Sequence, residues 1–247
     1  VNGRVSLLMG KARDLGADQL LISDENMIGS ARHSVRSGRL FPAIGERMAR
    51  FGASFGGRVT QVVLTIRQTD HWWASALAYT VGRGHPVPDA DQIDRIAHDR
   101  RGWRDVITDL ACALPEAKIS IARYDDCAGR PDALFTQLTG RAAPATTQGY
   151  WLNRRPDEAS LRAQMGPAAA GLRSDGLGNW HPFSDAQAAA LRETYADDLF
   201  WLTAGADGLA TLTETSTAPR AGTSWPDGDR RKGHHHDSGQ RKLAQSG

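Results

Sequence analysis

Gln61-Val-Val-Leu-Thr-Ile-Arg67-Gln-Thr-Asp70-His-Trp-Trp-Ala-Ser75-Ala-Leu-Ala-Tyr79 is the stretch that decides the fold. Val62, Val63, Leu64 and Ile66 make a nearly continuous apolar run rich in β-branched side chains, which predicts a buried strand over 59–66. Asp70 is expected to N-cap a helix reaching Gly82, so Arg67 falls at the carboxyl end of the strand and Ser75 in the opening turns of the helix. Ligands of open α/β sheets bind at the carboxyl ends of strands, and helix N-termini favour anions. An arginine and a hydroxyl converging there make a phosphate site.

The flanking sequence repeats the pattern. Upstream, residues 4–16 predict a helix with Val5, Leu8, Met9, Ala12 and Leu15 on one face. Gln19-Leu-Leu-Ile-Ser23 predicts a short buried strand that would carry Asp24 and Glu25 to the ligand edge of the sheet. Residues 29–38 are small and polar and predict a mobile loop, and 40–53 predict a helix. Downstream, 89–114 predict one or two helices, 117–122 a strand, and Pro131 opens a helix closed by Gly140. Helices alternating with short apolar strands argue for an α/β fold with a parallel sheet flanked by helices. The connections between the predicted strands, about 35 and about 50 residues, leave room for large helical insertions. Beyond Pro144 the pattern weakens. Residues 157–165 predict a helix, and Ser184-Asp185 starts another that runs to about Leu202. A domain over 1–203 and a low-complexity, disordered tail over 204–247 are therefore expected.

Composition narrows the function classes. The chain has 247 residues and a formal net charge of +2, so no strong global field points to nucleic acid or membrane. Six Lys/Arg and three Asp lie after Thr217, which leaves 24 against 25, or −1, over residues 1–217. Of the 30 basic residues 26 are arginine, a bias expected of GC-rich bacterial coding. Cys112 and Cys127 do not make a disulfide framework in a chain this long. Neither a signal peptide nor a run of ~20 apolar residues suited to a membrane span is read, and a cytoplasmic location is expected. No metal site is expected. His234 to His236 with Asp237 are read as part of a flexible polar tail.

An arginine at a strand end with a serine eight residues on resembles the 3′-phosphate-binding motif of the sulfotransferases. Residues 102–114 resemble that family's tryptophan-bearing helix. Residues 118–140, with Tyr124-Asp125-Asp126 and Pro131, resemble its strand-Tyr-Glu-Asp-x-x-x-x-Pro-helix-Gly block, Asp125 standing for the usual Glu. The resemblance covers about residues 19–140. It implies a P-loop-NTPase-like architecture. It also implies a sulfuryl donor, 3′-phosphoadenosine 5′-phosphosulfate (PAPS), and an acceptor hydroxyl or amine on a carbohydrate or small molecule. Carried over, it assigns Arg67 and Ser75 to the donor's 3′-phosphate and Tyr124 to the neighbourhood of its adenine. Glu25 is the candidate for the base that deprotonates the acceptor, with His71 and His33 as weaker alternatives.

The resemblance departs at the amino end. The family's 5′-phosphosulfate loop follows a first strand, and neither is found. Gly10-Lys11 lacks the Walker spacing and falls within a predicted helix. The chain opens on Val1, so two expectations stand: a natural start further upstream that supplies the first strand and the loop, or a product that lacks the loop and cannot hold the transferable group. Two rival readings remain: a non-catalytic relative that binds a nucleotide or a partner, and another P-loop enzyme such as a kinase. Arg154-Arg155-Pro156 is read as a solvated loop in preference to a contact for an anionic acceptor, and Arg231-Lys232-Gly233 resembles a family motif that closes over the 3′-phosphate.

Overall fold

The computed structural model describes residues 2–144, 155–172 and 178–213. The chain runs α1 (Asn2–Asp14), α2 (Ala31–Ser37), α3 (Ile44–Ser54), β1 (Gln61–Ile66), α4 (Thr69–Val81), α5 (Ala90–His98) and α6 (Trp103–Ala113). There follow β2 (Lys118–Arg123), α7 (Tyr124–Cys127), α8 (Pro131–Thr139), α9 (Glu158–Met165), α10 (Asp185–Thr203) and β3 (Thr211–Leu212). Most helix starts carry their own chemistry. The side chains of Ser30, Asp89, Asp157 and Ser184 accept the backbone N–H three residues on, and Gln187 completes a capping box on α10. Segment 29–38, expected as a loop, is instead α2. The Ser30 cap starts it, and Gly38, at φ 69, stops it in the left-handed region open to glycine.

The three strands are parallel in the order β1-β2-β3, so the fold is α/β with a small sheet among many helices. Gln61 pairs with Lys118 and Ile66 with Arg123, in register throughout. A crossover of three helices, α4 to α6, connects β1 to β2. α10 lies against α4, α5 and α6, and α3 against α6. β1 was expected to be buried on both faces. Among the described strands it lies at the edge, and Leu64 and Ile66 are buried while Val62, Val63 and Thr65 are only half-covered. β2 is central and buries Ile119, Ile121 and Ala122.

The core joins both strands to the helices through Leu40, Ile44, Leu77, Ile96, Ile107 and Leu110, all fully buried. Four rings meet at its centre. Trp72 stands edge-on to Phe41 (4.9 Å between centroids), Trp73 (4.9 Å) and Trp103 (6.4 Å). Edge-on pairs of this kind add about 0.5–1.5 kcal/mol beyond burial. The start of α6 is tied to α10 by a carboxylate. Asp198 accepts the backbone N–H groups of Trp103 (2.7 Å) and Arg104 (3.2 Å), two donors with no partner inside their own helix. Gly102 makes room for it, because a Cβ there would stand 2.5 Å from Asp198 Oδ2. Held this way, Trp103 turns its indole N–H to the carbonyl of Arg67 (2.7 Å) and fixes the chain where it leaves β1.

Three expectations are corrected. Gln19–Ser23 forms no strand, and it lies exposed with Leu20 and Leu21 each 43% accessible. Asp24 and Glu25 are therefore not carried to the sheet edge; they sit in an exposed turn where Asp24 accepts the N–H of Asn26 (2.7 Å). α1 buries only Val5 of its predicted apolar face, and Leu15 is 84% exposed. Residues 206–212, expected to belong to the tail, carry a 3-10 turn and β3. Ala206 and Ala210 are buried, and the N–H of Thr213 donates to the carbonyl of Ile121 (2.8 Å). Trp151, Arg154 and the motifs at 231–237 lie outside the described residues. Among the described residues, no helix is long and apolar enough to cross a membrane.

Candidate anion-binding site

The parallel register brings Arg67 and Tyr124 together. Ile66 pairs with Arg123, so the residues that leave the two strands stand side by side. The guanidinium of Arg67 lies 4.7 Å from the centroid of the Tyr124 ring, a cation–π distance that covers one ring face. Asp70, three residues on, and Asp125, beside Tyr124, are the carboxylates nearest in the chain to this pair. Among the described residues Arg67 pairs with neither, and its Nε is buried without a hydrogen-bond partner.

Asp70 is spent elsewhere. It was expected to cap α4, but Gln68 occupies that position and its side chain makes no cap bond. Asp70 lies one place inside the first turn, 99% buried, where it accepts the N–H of His71 (2.8 Å) and Nε of Arg192 from α10 (3.0 Å). A carboxylate this deep in the protein is stabilised only by such partners, because burial alone would strongly disfavour its charge.

Arg155 supplies a second guanidinium with an unpartnered nitrogen. Expected in a solvated loop, it is half-buried and donates to the backbone carbonyl of Trp180. Its Nε also finds no partner among the described residues. Burial, and then repulsion from Arg67, pull its pKa down to about 10, which records two cations close together. The hydroxyl of Thr69, buried and likewise unpartnered, adds a third orphan polar atom at the start of α4. Orphan buried donors are rare in folded proteins, so three of them, on Arg67 and Thr69 at the end of β1 and on Arg155 close enough to repel Arg67, make this the candidate place for an acceptor group.

A cleft of about 470 Å³ opens beside this cluster, between the first turn of α4 and the first turns of α10. His181, the residue after Trp180, stands with Nε2 3.8 Å from Asp70 Oδ2 and its ring centroid 6.4 Å from that of His71. Desolvation lowers its pKa. Asp70 works in the opposite direction, while Arg155, His71 and Arg192 reinforce the lowering. The imidazole is thus held neutral at pH 7, able to accept a proton, with a buried carboxylate ready to stabilise the imidazolium that results.

Ser75 lies on α4 one turn after His71, on the same side of the helix, and is half-buried. His33 is in α2 beside Arg36 (3.4 Å). Two of the four residues named from the sequence, Arg67 and Tyr124, are therefore in direct contact, and Ser75 is on the helix that starts at them. Glu25 has lost the strand that was to bring it there. His181 and Arg192 were not singled out for the site, and Arg155 was read as part of a solvated loop. Their contacts depend on chain distances of 25 to 122 residues, which no local spacing displays. Among the described residues, no group of three His, Cys, Asp or Glu side chains is arranged to hold a metal ion. Comparison with protein-family models, with curated proteins and with solved structures found no match.

Proposed function

We propose that this protein is a sulfotransferase of P-loop-like architecture that moves a sulfuryl group from PAPS to a hydroxyl or amine of a carbohydrate or small molecule. In this reading the described chain carries the half of the site that grips the donor's 3′-phosphate. The observation that carries it is the pair Arg67 and Arg155, two guanidinium groups with unpartnered buried nitrogens at the carboxyl edge of a parallel sheet, beside the N-terminus of α4. A phosphate dianion accepts the bonds these groups leave unmade, and planar guanidinium forks suit it. Ser75 adds a hydroxyl from α4, and Tyr124 orients Arg67 while its other face remains for the adenine.

The acceptor's proton goes to His181 in place of Glu25. The acceptor oxygen or nitrogen bonds to sulfur as the bond from sulfur to the bridging phosphate oxygen breaks, and adenosine 3′,5′-bisphosphate departs with that electron pair. Asp70 stabilises the imidazolium, and Arg192 holds Asp70 in place. Isothermal titration tests the donor half. Adenosine 3′,5′-bisphosphate is expected to bind the full chain at least about tenfold more tightly than adenosine 5′-monophosphate, a difference of ~1.4 kcal/mol for the 3′-phosphate. Equal affinity for the two, or no binding of either, refutes the proposal.

A further inference from the structure

The two ends of the site carry opposite formal charge. Arg67 and Arg155 contribute +2 with no carboxylate paired to either among the described residues. The cleft next to them is lined by Asp70, Asp185 and Arg192, two carboxylates against one guanidinium, which gives −1 before the imidazoles are counted. The change of sign is abrupt. Arg155 holds the carbonyl of Trp180, and the next residue, His181, already faces Asp70. An anion placed here is drawn to the arginine end and gains nothing in the cleft. Phe183 lines the cleft from the core side and is only 8% exposed, its ring centroid 5.8 Å from that of His181. Asp185 is exposed at the first position of α10, and the rings of His71 and His181 stand edge-on to each other, 6.4 Å between centroids. Carboxylates and imidazoles set around one donor fork suit a ligand that carries several hydroxyls.

We infer that the cleft between α4 and α10 is the acceptor subsite, and that it selects uncharged or amine-bearing polyhydroxyl acceptors, the hexosamine class, against acidic sugars. This deepens the reading of the arginine end as the nucleotide site and rests on it for the word acceptor. The selection follows from charge. An ammonium or hydroxyl finds Asp185, whereas a uronate carboxylate meets it as a like charge, and Arg192 is already engaged with Asp70.

Saturation-transfer NMR on the full chain, with D-glucosamine, methyl β-D-glucopyranoside and D-glucuronate as probes, tests this. Each titration is run with and without adenosine 3′,5′-bisphosphate. Glucosamine is expected to bind at least about tenfold more tightly than glucuronate, with the methyl glucoside between them. Asp185→Asn should erase most of the difference, and Asp185→Lys should reverse it. Because Asp185 is exposed, Asp185→Asn keeps the test valid if the lysine variant folds poorly. Glucuronate binding as tightly as glucosamine overturns the inference, as does a preference unmoved by Asp185→Asn. Bisphosphate binding with no sugar binding overturns the acceptor subsite and leaves the donor reading standing. Sugar binding with no bisphosphate binding has the reverse consequence, and binding of neither overturns both.

Discussion

Asp198 is a carboxylate whose ionisation opposes folding. It accepts two backbone N–H bonds from the start of α6, yet burial outweighs them and pushes its pKa up to about 6 from 3.8. Between these values the folded state holds a proton that the unfolded state has lost. Its contribution to stability is therefore full below about pH 4 and declines as pH rises to about 6, by roughly 3 kcal/mol at ~1.4 kcal/mol per unit. The side chain is only 5% exposed, so solvent does little to soften this. Relative to Asp198→Asn, the wild type is expected to lose urea stability between pH 4 and pH 6.5. A difference that does not change with pH, or that grows in the other direction, contradicts the assignment. His181 offers a second residue-scale check. Arg192 lowers its pKa and Asp70 raises it, so Arg192→Met should move the His181 imidazole to a higher NMR titration midpoint. An unchanged midpoint would contradict the effect of Arg192 on that ring. These two residues mark the limit of local reading. Arg67 was legible because it stands where an apolar run stops, and Tyr124 because it stands where the next one stops. His181 and Asp198 take their character from partners more than 90 residues away in sequence, at Asp70 and Trp103.

At the scale of elements, the joints between helices matter more than the helices themselves. Starts with an oxygen side chain or a proline in place were readable, and α5, α8, α9 and α10 form close to where Asp89, Pro131, Asp157 and Ser184 put them. α2 carries the same signal at Ser30. It was lost because small polar residues dominate its sequence, while its burial comes from packing on α4. Gln19–Ser23 shows the opposite failure. A short apolar run has strand character, but a strand needs a neighbour, and among the described strands it pairs with none. Gly102 tests the α6–α10 joint. A methyl group at 2.5 Å from a carboxylate held by two hydrogen bonds forces one of them to move, so Gly102→Ala should cost about 1–3 kcal/mol in chemical denaturation. A loss under about 0.5 kcal/mol would show that α10 can shift without penalty.

The whole molecule is an α/β fold with a small parallel sheet, and its alternation of strands and helices was readable from hydrophobic runs alone. The size of the sheet was not. β3 is two residues long, set in a stretch rich in Gly and Thr, and nothing in its own sequence competes with the reading of a tail. Its effect on stability follows from its position beside β2, the central strand. A chain ended after Gly205 loses the buried Ala206 and Ala210, the β2–β3 pairing and the bond from Thr213 to Ile121. It should unfold at least about 2 kcal/mol more easily than a chain ended after Thr213. Equal stability of the two would remove β3 from the fold.

The site stands at the carboxyl edge of this sheet because parallel strands deliver consecutive chain exits to the same side, here Arg67 beside Tyr124. Calorimetric titration of adenosine 3′,5′-bisphosphate into the wild type and into Arg67→Ala and Arg155→Ala tests the central claim most directly. Each substitution is expected to weaken binding by about 10- to 100-fold, the loss of one charge-assisted phosphate contact worth ~1.5–3 kcal/mol. Affinity unchanged by both substitutions, with the proteins still folded, would contradict the account.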